Sequence, residues 1–209
     1  MKRFFVLPLL VAGLFFNAQS IGNSPYAACG IGDVKYDNTT DVNAMGGIST
    51  AYIWDFNNNF NFANPGANKN LELTTIKVEG TNENNFFKSD YDNSNVTKHS
   101  SYLSNIAIAF PISQKVKFGM GYQPYSSKKY SVLIQEDLAD SVKRANIFRG
   151  EGTLSTVQAA LSYQISPEFG LGFRTNFYFG NLYDINELTY SNAELINGYE
   201  TKNKIKTFN

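Results

Sequence analysis

The feature that most restricts the fold of this chain is a regular alternation of large and small side chains after residue 101. It occupies the segments 102–112, 116–123, 155–165 and 171–180, where aliphatic or aromatic residues stand at most alternate positions. Residues two apart share one face of a β-strand, so each segment is predicted to be a strand with one apolar face. Short turns at 113–114 and 166–167 connect these strands in pairs, which predicts antiparallel neighbours.

The residues on the second face indicate what surrounds the first. They are mostly Gly, Ala, Ser, Asn and Gln, with Lys117 and Arg174 as the charged ones, whereas the solvent face of a soluble sheet is usually polar and charged. An apolar outward face and a crowded polar interior are what a membrane barrel requires, and its strands need about 9 to 11 residues to cross. We therefore predict an all-β fold, an antiparallel transmembrane β-barrel, and keep a secreted soluble β-sandwich as the alternative.

The segments between these strands differ in length and polarity. Residues 81–99 and 136–152 are polar or charged and are predicted to be long surface loops. Short turns on one side and long loops on the other are typical of outer-membrane barrels. Weaker alternation predicts further strands at 71–80, 181–191 and 198–208.

The first residues have the layout of a secretory signal peptide. Lys2 and Arg3 precede an apolar run from Phe4 to Phe16, which is shorter than the roughly 18 residues of a membrane-spanning helix. We predict a signal peptide over 1–18 and a location in the cell outer membrane, with the lipid bilayer as a partner. Without Lys2 and Arg3 the chain has 16 basic against 18 acidic residues, a balance that argues against nucleic-acid binding.

Residues 19–70 differ in character from the strands that follow. They are rich in Gly and Asn, with too little periodicity for a wall of strands and too many apolar residues for a disordered tail. We predict an ordered N-terminal segment with short helices or turns and a strand near 47–54. The predicted domain plan is a signal peptide over 1–18, this segment over 19–70, and antiparallel strands over 71–209.

The sequence offers few residues for catalysis or metal binding. His99, the single histidine, lies in a segment predicted to be a polar loop, and Cys29 is the single cysteine. A histidine-rich metal site, a His-based catalytic constellation and an internal disulfide are therefore excluded. We predict no catalytic residue, no metal, no cofactor and no enzymatic activity.

Four short motifs occur in order along the chain: SPYAACGIGDV at 24–34, AMGGIST at 44–50, ANPGAN at 63–68 and FGMGYQPYSS at 118–127. Together they resemble motifs in the N-terminal half of the long-chain fatty acid transporter-like (FadL-like) outer membrane proteins of Bacteroidota. Ala27, Ala28, Cys29 and Gly66 depart from the motifs of that family. Barrels of that family are longer than this chain, so the resemblance implies that the strands here form part of a barrel.

The resemblance also implies roles for individual residues. The segment 19–70 would be a hatch inside the barrel, with Asn64 and Pro65 at its turn. Residues that face the lumen would line the passage of a hydrophobic ligand, and these are Arg174, Asn176, Gln158 and Lys117. Arg174 would either bind a carboxylate head group or bond to other residues of the barrel.

The function implied is an outer-membrane barrel that binds or passes hydrophobic molecules such as long-chain fatty acids. Its partners would be the lipid bilayer, a hydrophobic small molecule and the outer-membrane assembly machinery. Two alternatives remain open: a non-transporting outer-membrane barrel of a protein secretion system, and a secreted soluble β-sandwich that binds or adheres.

Overall fold

The structure, a computed structural model, describes residues 21–22, 24–35, 39–50, 59–88, 95–137, 143–191 and 196–208. In these ranges there are three short helical elements: a 3-10 helix at Pro25–Ala28, helix α1 at Thr40–Ala44 and a 3-10 helix at Pro65–Ala67. The strands are β1 (Asp33–Val34), β2 (Thr75–Lys88), β3 (Asn95–Pro111), β4 (Val116–Asp137), β5 (Lys143–Gln164), β6 (Gly170–Ser191) and β7 (Ile196–Phe208). The described helices include none long and apolar enough to cross a membrane.

All seven strands belong to one antiparallel sheet. Its order is β2-β3-β4-β5-β6-β7, so neighbours in sequence are neighbours in space, and β1 pairs with β4 off this path. In the described part of the chain β2 and β7 each pair on one side, so the sheet is open. The prediction of an all-β antiparallel fold is confirmed, and the described residues form no second sheet that covers the apolar face.

The strands extend well beyond the segments that alternation predicted. β4, β5 and β6 have 22 residues each. The loops predicted at 81–99 and 136–152 are wrong, because β2 runs to Lys88, β3 begins at Asn95, and only residues 138–142 separate β4 from β5. Polar side chains do not prevent strand pairing, because hydrogen bonds between paired strands satisfy the backbone N–H and C=O groups in water as well.

Two smaller predictions about strands also need correction. Residues 181–191 are the second half of β6 and not a separate strand, whereas the strand predicted at 198–208 is confirmed as β7. The strand predicted near 47–54 falls largely on 51–58, which lie outside the described residues, and residues 47–50 are turn or irregular.

One face of the sheet, here called the inner face, is covered by the N-terminal segment, meaning the described residues up to Asn70. A buried apolar cluster joins Phe60 and Phe62 of this segment, and Leu71 just after it, to Ala107 and Ala109 of β3 and to Ala160 of β5. The ring centroids of Phe60 and Phe62 lie 4.8 Å apart in an edge contact. Burial of these side chains is the main source of free energy that attaches the segment to the sheet.

Glycines on the inner face allow this close approach. A Cβ at Gly119 would lie 2.7 Å from the ring of Phe60, and a Cβ at Gly172 would lie 2.3 Å from the backbone nitrogen of Gly66. No larger residue fits at Gly172 unless the backbone of the N-terminal segment moves. The small side chains of the second face are therefore required by a neighbouring piece of the same chain.

The opposite, outward face carries an exposed apolar band near the tight turns. This outward band comprises the outward-facing positions of 106–112, 116–122, 157–165 and 171–179, among them Ile106, Met120, Val157, Leu161, Leu171, Phe173 and Phe177. Phe173, which pairs with Leu161 of β5, is 67% exposed, a large value for a phenylalanine. About nine residues of a strand tilted as in barrels span a height close to 25 Å, which is the height of the apolar band of membrane barrels.

We expect Gly172→Val to displace the 3-10 helix Pro65–Ala67 from β6, because its side chain would overlap the backbone of Pro65 and Gly66. The cost is about 1–3 kcal/mol. Limited proteolysis should cut the N-terminal segment faster in this variant. Ala159→Val, an enlargement on the outward face of β5, is the matched control, and equal cleavage of the two variants would contradict the contact.

Candidate functional site

The site begins where β3 and β4 separate. They pair only between Ile106–Pro111 and Lys117–Tyr122. Beyond this stretch β3 continues in register with β2, and β4 continues in register with β5, each after a local irregularity of the ladder. The result is a wedge-shaped opening between two adjacent strands, here called the β3–β4 gap.

Residues of the N-terminal segment occupy the base of the β3–β4 gap. In β1, Asp33 pairs with Ser127 and Val34 with Ser126. The backbone N–H of Lys35 donates to the carbonyl of Tyr125 at 2.8 Å. On the other side, the N–H of Gly22 donates to Oγ of Ser100 in β3 at 3.1 Å. The segment thus bridges the two separated strands.

A cavity of about 240 Å³ lies beside β1 and is lined by residues of β1, β2, β3 and β4. Its central group is Lys35, which is 8% exposed and whose Nζ lies 3.0 Å from Oδ2 of Asp33 and 2.8 Å from Oε2 of Glu83. The hydroxyl of Tyr102 donates to Oε1 of Glu83 at 2.7 Å. Burial, followed by this hydrogen bond to Glu83, raises the pKa of Tyr102. One buried cation therefore holds two carboxylates together.

A second polar cluster spans β4 and β6 across β5. Nζ of Lys128 lies 2.8 Å from Oδ2 of Asp184, and the hydroxyl of Tyr130 donates to Oδ1 of the same carboxylate at 3.0 Å. The ring of Tyr130 covers Gly150, where an added Cβ would lie 2.0 Å from a ring carbon. Burial, and then the hydrogen bond to Asp184, raises the pKa of Tyr130 to about 12. This cluster stabilises the extended part of the sheet beyond the outward band.

The four residues predicted to line a passage all lie on the inner face. Lys117 is 4% exposed and Gln158 is 2% exposed, and Gln158 lies beside Phe60 and Phe62 of the N-terminal segment. Nη1 of Arg174 donates to the backbone carbonyl of Phe62 at 3.1 Å. Asn176 donates to the hydroxyl of Tyr178 at 3.3 Å. The structure thus places Gln158 and Arg174 against the N-terminal segment, and the role of all four residues as ligand contacts stays a prediction.

Asn64 and Pro65 lie at the turn that begins the 3-10 helix Pro65–Ala67, with Asn64 as its N-cap residue. The side-chain amide of Asn64 donates to the carbonyl of Thr50. A neighbouring network holds the turn, since Nδ2 of Asn68 donates to the carbonyls of Asn61 and Pro65, each at 3.0 Å. These contacts fix the loop that packs against Gly172.

Sequence reasoning missed the residues of the β3–β4 gap. Lys35 and Glu83 are 48 positions apart, and Glu83 lies in a segment predicted to be a loop. The signal that was available is the even spacing of Thr81, Glu83 and Asn85, which places all three on one face of a strand. In the described ranges no group of three or more His, Cys, Asp or Glu side chains is placed to hold a metal ion.

The fold and the site define a class: an antiparallel sheet protein with an exposed apolar band outside and its own N-terminal segment packed inside. A family model described as BamG matches residues 1–209, and the chain belongs to the BamG family. Neither a curated protein nor a solved structure matches the chain.

The family match corrects two predictions. The resemblance to FadL-like fatty acid transporters is wrong, because the BamG family is a different family, related to outer-membrane assembly. The predicted function in binding or passing hydrophobic molecules is wrong for the same reason. The motifs that carried the resemblance are short and rich in Gly, Pro, Asn and Tyr, which tight turns and close backbone contacts require in many unrelated sheets. The BamG family is not a family of enzymes, and its members are associated with the outer membrane.

We expect Lys35→Met to loosen β1 from the β3–β4 gap, because it leaves Asp33 and Glu83 facing each other without the cation. Both carboxylates are partly exposed, so the cost is about 1–3 kcal/mol. Hydrogen exchange of the amides of residues 24–35 should become faster.

Two further variants make this test specific. Glu83→Gln in the Lys35→Met background should restore part of the protection, since it removes one of the two repelling charges. Lys98→Met, the same substitution at an exposed position of β3, should leave exchange unchanged. Exchange in Lys35→Met at the rate of the unaltered chain would contradict the role of Lys35.

Proposed function

We propose that this protein is an outer-membrane component of the machinery that assembles other outer-membrane proteins. The observation that carries the proposal is the match of the BamG family model to residues 1–209. The family is tied to outer-membrane assembly, which supports association of this chain with the assembly machinery.

The outward band supports a position within the lipid bilayer. In water, a row of exposed side chains such as Leu171, Phe173 and Phe177 on one strand would be an aggregation hazard. In hydrocarbon these side chains are stabilised, and the hydrogen bonds between paired strands satisfy the backbone groups that they join. In this proposal residues 1–18 direct export, and residues 19–70 form a unit that covers the inner face.

The inner face favours a structural role over conduction. Lys117 and Gln158 are the most buried of the predicted lumen residues, and Gln158 lies beside Phe60 and Phe62. Surfaces that remain available to a partner protein are the outward face, the β3–β4 gap and the long extensions of β4, β5 and β6. At about 3.3 Å per residue, strands of this length reach far past the bilayer.

The experiment that tests the proposal is depletion of the protein in cells. The amounts of folded outer-membrane proteins and the uptake of a labelled fatty acid are then measured. A loss of many folded outer-membrane proteins, with the assembly machinery co-purifying with the full-length tagged chain, is the expected result. Unchanged levels of folded outer-membrane proteins after depletion would overturn the proposal.

We expect Phe173→Arg to destabilise the protein in vesicles by about 2–4 kcal/mol, because it places a cation on the lipid-facing side of the sheet. Urea unfolding in vesicles measures the change. Phe173→Leu keeps an apolar side chain and should cost less, and Ser131→Arg lies beyond the outward band and should be tolerated. Equal stability of the two arginine variants would argue against a lipid-facing band.

A further inference from the structure

Above the outward band, on the same face of the sheet, the residue types change abruptly. Phe179 pairs with Ser155, and the next outward row across β5, β6 and β7 is Thr153, Asn181 and Lys206. The row after that holds Lys129, Glu151, Tyr183 and Lys204, and the third holds Ser131, Arg149, Ile185 and Lys202. The edge of the apolar band is therefore followed at once by positive charge.

Five cations share these three rows with one anion, Glu151. The cations, here called the basic belt, are Lys129, Arg149, Lys202, Lys204 and Lys206. The acidic residues Glu187 and Glu200 come only in the fourth row. The opposite end of the band has no such belt, since the two turns there contain one lysine, Lys115, and one glutamate, Glu168.

The side chains of the basic belt are accessible. Lys202 is 46% exposed and Arg149 is 48% exposed, even though they contact Glu151 at 3.6 Å and Glu187 at 3.1 Å. The ring of Tyr183 lies between two of the lysines, with Nζ of Lys202 and of Lys204 at 4.4 and 5.5 Å from its centroid. These cation–π contacts hold the two ammonium groups at the tyrosine ring, next to the boundary of the band.

We propose that the basic belt binds the phosphates of anionic lipid headgroups at the bilayer surface remote from the tight turns. The outward rows are about 6.6 Å apart along each strand, so the belt covers the depth of a headgroup layer directly above the hydrocarbon. The inference rests on the proposed position of the outward band in the bilayer, and it adds the lipid class that this position selects.

Protection of a sheet edge is the simpler explanation for lysines on β7, because charged side chains on an edge strand prevent unwanted pairing. That explanation does not cover Arg149, which lies at the same height on β5 and is paired on both sides, with Ser131 of β4 and Ile185 of β6. Binding to a surface of anionic headgroups explains cations on three strands, whereas protection of the β7 edge explains only those on β7.

The test is native mass spectrometry of the full-length chain, released in detergent and titrated with phosphatidylglycerol, phosphatidylcholine or inorganic phosphate. A triple variant, Lys129→Gln with Lys204→Gln and Lys206→Gln, should weaken binding of phosphatidylglycerol about tenfold. The matched control changes Lys98, Lys115 and Lys143 to Gln, which removes the same charge elsewhere, and should stay within about twofold of the unaltered chain. Glu151→Gln makes the belt more positive and should tighten binding, an effect that damage to the fold would not produce.

Each outcome bears on the proposal. Weaker binding in the belt variant together with tighter binding in Glu151→Gln supports it. Equal loss in the belt and control variants, equal affinity for the two lipids, or full competition by inorganic phosphate at the concentration of the lipid would overturn it. The measurement needs no assembly machinery, so a failure of the proposed assembly function and a failure of lipid binding are seen separately.

Discussion

The structure depends on the fit between the N-terminal segment and the inner face of the sheet. Phe60, Phe62 and Leu71 require a surface without large side chains, and Gly119, Ala107 and Ala160 supply it. With large residues at those positions the segment would have to leave, and the inner face would be open to water. The small residues of the inner face and the aromatic residues of the segment therefore depend on each other, because close packing requires both.

The same constraint explains which parts of the fold were predictable from the sequence. Alternation identifies β4, β5 and β6 because a strand with one apolar face has a period of two regardless of what covers it. It does not identify residues 136–137 and 143–152 at the far ends of β4 and β5, where charged side chains are typical of a loop although hydrogen bonds between the paired strands hold the backbone. Residues such as Asn84 and Asn146 read as loop from composition, although both are paired within strands.

The candidate site was less predictable, for a different reason. Lys35, Glu83 and Tyr102 meet because β1 enters the β3–β4 gap, a relation between strands that no local pattern records. Arg174 lies on the inner face, where one of its partners is a backbone carbonyl 112 positions earlier, a contact that no local pattern predicts. The family was the hardest feature to predict from the sequence. Short Gly- and Pro-containing motifs reflect turn geometry that many families share, whereas the family model matches all 209 residues.

The contacts of the N-terminal segment have a consequence for how the chain matures. Gly22 contacts a residue 78 positions later, and Phe62 is held by one 112 positions later. Such distant partners make the closing of the structure slow, since a long loop must be ordered before the contact forms. The N-terminal segment can therefore take its place only after β3, β5 and β6 have been synthesised, and until then Phe60 and Phe62 lack the surface that buries them.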